Sequence, residues 1–221
     1  MNFFRLSKIA NITRQKTSAA LPPSQNVLRN SSEIPLFMKH EFASSMLVKG
    51  DFNNLVKLPK YVDLYEWLAI NTFDFFNLIN MFYGVVSEEC TNNSCPIMSA
   101  GQSEFYWSDT QRKAIKLPAT QYVDYVLSQI QTIIMDEKIF PTRAGYPFQK
   151  DFRLTLRTIF LELFRVIAHI YWNHYDVIVN LRLESHINST FIHFIYFTSE
   201  YDLIDKKDLS SMEDFINLAL P

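Results

Sequence analysis

Glycine is scarce in this 221-residue chain: Gly50, Gly84, Gly101 and Gly145 are its only four. Chemistry that brings backbone close to phosphate uses clustered glycines, and no G-x-x-x-x-G-K-[ST], G-x-G-x-x-G or G-x-S-x-G occurs. That counts against nucleotide hydrolases, dinucleotide oxidoreductases and the common serine hydrolases. Cysteine is scarcer still. Cys90 and Cys95 cannot staple a secreted mini-protein, and a chain of this length does not need stapling. Long apolar runs are also missing. The best stretch, Ile159 to Trp172, is broken by Glu162, Arg165 and His169 and falls short of the ~20 residues of a membrane span. These absences predict a soluble, intracellular protein. What the chain does have is 48% hydrophobic and 15% aromatic residues, enough to rule out disorder throughout and to build one globular core.

Charge is unevenly placed. Residues 1–32 hold five of the 21 basic residues (Arg5, Lys8, Arg14, Lys16, Arg29) and no acid, whereas residues 33–221 carry 16 basic residues against 23 acids. A basic, disordered tail at 1–32 and a globular domain at 33–221 are expected. The tail is rich in Ser and Thr and is interrupted by Pro22-Pro23. Two readings fit it: a transit peptide, or a tail whose Arg14-Gln15-Lys16-Thr17-Ser18 stretch suits a basophilic kinase. The tail reading is preferred. The acidic body argues against nucleic acid and for a basic protein partner.

Along the domain, a short apolar stretch runs from Ile34 to Met38 and an extended linker is expected over Met46–Lys60. Asp63 and Glu66 form a capping-box pattern that opens a helix. Leu64, Trp67, Leu68, Phe75, Leu78, Ile79 and Phe82 follow at helical spacing to about Tyr83. Ser103–Trp107 and Ala114–Leu117 around a polar Ser108–Lys113 turn predict a hairpin. Tyr122, Val123, Val126, Leu127, Ile130, Ile133 and Ile134 predict a second helix. A long helix from about Phe152 to Asn180 is apolar nearly all round in its middle and is expected at the centre. Ile187–Phe197 and Met212–Leu220 supply two more. The fold class is all-α, a helical bundle with one small β-hairpin.

Cys90-x4-Cys95 falls in a loop and His169-x4-His174 in the long helix. Two thiolates and two imidazoles are a zinc donor set, and both spacings are ordinary for it. The alternatives are plain thiols, a local disulfide disfavoured in a reducing compartment, or no metal. On an ideal helix, histidines five residues apart point about 140° apart, so both reach one ion only if the helix distorts or the ion lies to one side. Four amino-acid ligands leave no open position for water, and no H-E-x-x-H occurs, so a structural site is favoured over a zinc hydrolase. His186 and His193 have no cysteine nearby and read as ordinary helix residues.

Asp63, Glu66, Ile70 and Asp74 fall at i, i+3, i+7 and i+11, on one face of the first helix. They make either a solvated face with a helix-dipole bonus or a docking stripe for Arg and Lys, with Trp67 at its edge as an anchor.

The run Leu58-Pro59-Lys60-Tyr61-Val62-Asp63-Leu64-Tyr65-Glu66-Trp67-Leu68-Ala69, with Cys90-Thr91-Asn92-Asn93-Ser94-Cys95-Pro96, Met98-Ser99-Ala100-Gly101, Leu163-Phe164-Arg165 and Ala168-His169-Ile170-Tyr171, resembles the Mob (Mob/phocein) kinase-activator family. The resemblance spans about residues 34–220. Pro35-Leu36-Phe37, Leu47-Val48-Lys49-Gly50 and Tyr83-Gly84-Val85-Val86 point to the fungal second class. It implies a four-helix core with flanking helices, a structural Zn2+ on Cys90, Cys95, His169 and His174, and no catalysis. It further implies binding to the basic N-terminal regulatory region of an NDR/LATS-type Ser/Thr kinase through Asp63, Glu66, Trp67 and Asp74, favouring the active kinase in polarity and morphogenesis signalling. A cytoplasmic location follows, with recruitment alongside the kinase to cortical growth sites and access to the nucleus. Where first-class members carry a basic cluster for phosphopeptides, this chain has Leu161 and Glu162, with Arg165 remaining. Weak or absent phosphopeptide docking is therefore expected. A mitotic-exit kinase activator and a non-activating scaffold are the alternative functions.

Overall fold

The computed structural model describes residues 34–48, 50–108, 113–143 and 145–220. The tail expected at 1–32 lies outside them. After a 3-10 turn at Leu36–Met38 come α1 (His40–Ala43), α2 (Phe52–Val56) and α3 (Leu64–Val86). Strands β1 (Ser99–Ala100), β2 (Ser103–Glu104), β3 (Trp107–Ser108) and β4 (Ala114–Ile115) precede α4 (Ala119–Met135) and α5 (Phe152–Asn180). Helix α6 (Glu184–Glu200), a 3-10 segment at Lys206–Met212 and α7 (Glu213–Ala219) close the domain. The all-α expectation holds.

A side-chain cap opens α3, and backbone bonds close α5 and α6. Asp63 caps α3: its Oδ1 accepts from the backbone N–H of Tyr65 at 2.8 Å and of Glu66 at 3.2 Å. Helix α3 then buries Leu68, Phe75, Phe76, Ile79, Phe82 and Val86 and runs three residues past the expected end. Glycine being so scarce, the left-handed residues that close α5 and α6 are Arg182 (φ 58°) and Asp202 (φ 51°). Each is followed by a leucine whose N–H reaches back to the helix, Leu183 to Ile178 at 3.0 Å and Leu203 to Thr198 at 2.9 Å, the Schellman arrangement.

Helix α5 is the axis of the domain, as its apolar middle required. Ile159, Phe160, Leu163, Phe164, Val166, Ile167, Ala168 and Ile170 are all fully buried. It packs against α3, α4, α6 and β1. Interlocking aromatic edges tie these layers, with the Phe75 ring 5.9 Å from that of Phe160 and 5.3 Å from that of Phe194.

Two expectations are corrected. The extended linker over Met46–Lys60 contains α2, capped by Asp51, whose carboxylate accepts from Asn54 N–H at 3.3 Å. Phe52 and Val56 on α2 are buried, and Phe52 stacks on Tyr196 of α6 at 5.6 Å. The expected hairpin is present as β3–β4, but its first strand is shorter than expected and, among the described residues, a second hairpin precedes it. β3 pairs with β4 in the register Trp107 opposite Ile115, but Ser103–Glu104 turns back to pair with Ser99–Ala100 instead of continuing into Trp107. Part of the expected Ser108–Lys113 turn, residues 109–112, lies outside the described residues.

Candidate metal centre and docking face

Four side chains from three places in the chain meet beneath α3. Cys90 follows the end of α3, Cys95 sits five residues on, and His169 and His174 come from α5. All four are buried, and their ligand atoms lie within 4.8 Å of one another. Cys90 Sγ is 3.5 Å from His169 Nε2, and Cys95 Sγ is 3.3 Å from His174 Nε2. A tetrahedral ion with bonds of about 2.3 Å to sulfur and 2.0–2.1 Å to nitrogen holds S and N about 3.6 Å apart. The four donors therefore fit a closed tetrahedral metal.

The distortion that the histidine spacing demands is present. His174 has φ −138° and ψ 18°, a break inside α5 that turns its imidazole toward His169, the two rings lying 5.2 Å apart. The Cys90–Cys95 loop is locally fixed. Cys95 N–H donates to Thr91 O at 2.8 Å, and Ser94 Oγ accepts from Thr91 N–H at 2.8 Å while donating to Glu89 O at 2.6 Å. Electrostatically, hydrogen bonding from the Cys90 thiol, helped by His169 and His174, pulls Cys95 far below an ordinary thiol. Its bond to Cys95, and burial, push Cys90 up. The site thus already favours thiolate on Cys95, the form that binds metal.

Helix α3 presents the acidic residues outward. Asp63, Glu66, Ile70 and Asp74 are all exposed, and partial burial raises the Asp74 pKa. Trp67 is half-buried and packs on the core, its Nε1 shielded from solvent, so it stands at the edge of the stripe with its ring largely committed to packing.

The sequence reading missed what lies at the other end of this face. Met81 is 18 residues after Asp63, five full helical turns, so it lies on the same line. It is 56% exposed and forms one lip of an apolar groove of about 330 Å³ between α2, the second half of α3 and α6. Leu47, Val48 and Leu55 line the opposite lip and are exposed, and His193 lies at the base, its pKa lowered by burial. The signal available was the exposed apolar pair Leu47-Val48 beside α2, hidden because α2 itself was read as linker.

At the position of the missing basic cluster, Arg165 is already engaged. Its Nη1 donates to Glu162 Oε1 at 2.6 Å and to Tyr122 Oη at 3.0 Å, while Tyr122 donates to Glu162 Oε2 at 2.6 Å. The Arg165 guanidinium also lies 5.4 Å from the Phe105 ring centroid. Burial raises the Glu162 pKa, countered by Arg165.

Comparison with known proteins places the chain in a family. The chain is 44% identical over 204 residues to "MOB kinase activator-like 1 homolog A" of Dictyostelium discoideum, covering 91% of this chain and 94% of that protein. It is 43% identical to "Maintenance of ploidy protein mob2" of Schizosaccharomyces pombe, over 82% of this chain and 75% of the relative. It is also 43% identical to "CBK1 kinase activator protein MOB2" of Saccharomyces cerevisiae, over 83% of this chain and 64% of that longer protein. The fungal matches agree with the second-class resemblance. A family profile matches residues 44–212, and the chain belongs to the Mob1/phocein family.

Proposed function

We propose that this protein is a non-catalytic coactivator that binds the basic N-terminal regulatory region of an NDR/LATS-type Ser/Thr kinase and favours its active state. The observation that carries the reading is the continuous outer line of α3, where Asp63, Glu66 and Asp74 lead into the apolar groove at Met81. A basic helical segment with an apolar end matches both halves of that line, the charges setting encounter and orientation and the groove taking the desolvated anchor. The names of the relatives, kinase activators among them, support a kinase as the partner. Activation requires the protein to bind the active kinase more tightly than the inactive one, since equal affinity for both would shift nothing.

The four-residue centre is a structural zinc site in this reading. Two cysteines and two histidines complete a tetrahedron with no position left for substrate or water, so the ion ties the Cys90–Cys95 loop to α5 and performs no chemistry. With Arg165 held by Glu162 and Tyr122, phosphopeptides find no free guanidinium there, and their docking is weak or absent. This favours a polarity and morphogenesis kinase over a mitotic-exit one.

The test is a titration of the full chain against the regulatory fragment of an NDR-type kinase at about 50 and 500 mM salt. Binding that weakens with salt, and weakens at least tenfold in the Glu66→Lys, Asp74→Lys double variant, is expected. Charge reversal without effect would remove the docking stripe. Binding to the fragment with no rise in the activity of the full-length kinase, assayed with and without the protein, would leave a scaffold.

A further inference from the structure

We propose that Asn173 is a positioning residue for the metal centre, clipping strand β1 to helix α5 so that His169 presents Nε2 to the ion. The inference rests on the zinc reading above. Since Nε2 of His169 is the atom facing Cys90 Sγ at 3.5 Å, that nitrogen has to keep its lone pair free and the ring proton has to sit on Nδ1. A proton there needs an acceptor, and the Ser99 carbonyl lies 2.7 Å away. Asn173 Nδ2 approaches three atoms: Ser99 O at 3.1 Å, His169 O at 3.2 Å and His169 Nδ1 at 3.1 Å. Its two hydrogens are matched by the two carbonyl oxygens. Nδ1, donating its own proton to Ser99, has nothing left with which to accept a third bond, so that approach is a contact only. Turning the amide over would set Oδ1 against two carbonyl oxygens, so the pattern also fixes which end of the amide faces inward.

The clip adds a second polar link between two elements that the His169–Ser99 bond already joins. Ser99 belongs to β1, four residues beyond Cys95, while His169 and Asn173 are one turn apart on α5, and Asn173 immediately precedes the break at His174. The carbonyl that orients His169 is thereby tied to the same helix that carries both imidazoles. Without the amide, Ser99 O keeps the His169 ring as its only side-chain partner among the described residues and is free to tilt with the short β1–β2 ribbon.

The experiment measures Zn2+ affinity of the full chain by competition with a chromophoric chelator, in wild type and in Asn173→Leu, which keeps the bulk and removes both donors. A 10- to 100-fold loss of affinity is expected, the size usual for a partner behind a metal ligand. The melting temperature of the metal-free variant should stay within a degree or two of the metal-free wild type. Affinity within twofold of wild type overturns the proposal and leaves the zinc reading intact. A wild type that binds no Zn2+ overturns both. If Asn173→Leu does not fold, long-range proton–nitrogen NMR of the Zn2+-loaded wild type decides. A proton on Nδ1 of His169, with both Asn173 amide protons protected from exchange, supports the clip. A proton on Nε2, or an amide exchanging like an exposed asparagine, overturns it.

Discussion

Two residues with positive φ behave oppositely, and each yields a prediction. Tyr61 has φ 70° in a turn closed by Val62 N–H on Pro59 O at 3.2 Å, and its side chain is 93% exposed. A side chain with a Cβ is strained there, and this one gains almost no burial in return. Tyr61→Gly should therefore stabilise the domain by up to about 1 kcal/mol, read as a higher urea midpoint at unchanged m. Gly101 has φ 60°, but a Cβ there would sit 2.9 Å from the Trp172 ring. Trp172 is itself anchored, its Nε1 donating to Ser211 O at 2.9 Å, so the ring has little room to retreat. Gly101→Ala should cost about 2 kcal/mol or more through both strain and overlap, measured by the same denaturation. At this scale the sequence was most informative about the metal centre. Cys90, Cys95, His169 and His174 could be named from spacing because their chemistry restricts the residue types. The break at His174 was legible only as a requirement. Asn173 was not legible at all, since a lone asparagine in a helix carries no pattern.

At the level of elements, periodicity located α3, α4, α5 and α6 because each buries a face long enough to repeat. Helix α2 escaped notice for the opposite reason. Five residues, two of them asparagine, give no period, and the helix exists through Asp51 and the packing of Phe52 on α6. The β1–β2 hairpin turns at Gly101-Gln102, where a left-handed first residue suits a two-residue hairpin. Two-residue strands show no alternation that would mark them. The segment before α2 is held in two ways, its start by Phe37 buried among Tyr171, Trp172, Tyr175 and Phe215, and the part from Phe42 to Val48 by polar side chains of α6. Asn188, fully buried, donates from Nδ2 to Phe42 O at 2.8 Å and Ser45 O at 2.9 Å, and accepts from Tyr171 at 2.9 Å. Ser189 Oγ accepts from the N–H of Leu47 at 2.9 Å and of Val48 at 3.2 Å, fixing one lip of the apolar groove. Asn188→Ala takes the acceptor from the Tyr171 and Tyr175 hydroxyls and the side-chain donor from Ser45 O, while Phe42 O keeps the Ser45 N–H, so a loss of about 2–4 kcal/mol is expected. Amide exchange at 42–48 should accelerate more than exchange in α5. Uniform acceleration would show that this segment has no independent hold.

For the whole molecule, the aromatic core and the metal centre do different jobs. The core around α5 is dense with apolar contacts and needs no ion to collapse. The Cys90–Cys95 loop and the two short hairpins add only Met98 and Ala100 to the buried core besides the cysteines themselves, and depend on the four ligands to stay against α5. Removing metal should therefore loosen residues 88–108 and 113–118 and lower stability without unfolding the bundle. Binding to the folded state alone adds RT ln(1 + [Zn2+]/Kd), about 4 kcal/mol at a thousandfold excess over Kd. At roughly 2–4 °C per kcal/mol for a domain of this size, the melting temperature should fall by about 8–16 °C on chelation and return on adding Zn2+. Cys95→Ser should mimic the chelated protein and respond to neither treatment. The helical signal in far-ultraviolet circular dichroism should change little at 20 °C, and kinase-fragment binding through α3 should survive, because the docking line and groove stand on the aromatic core. A metal-free protein that lost its helices at 20 °C would instead make the ion a condition of folding for the entire domain.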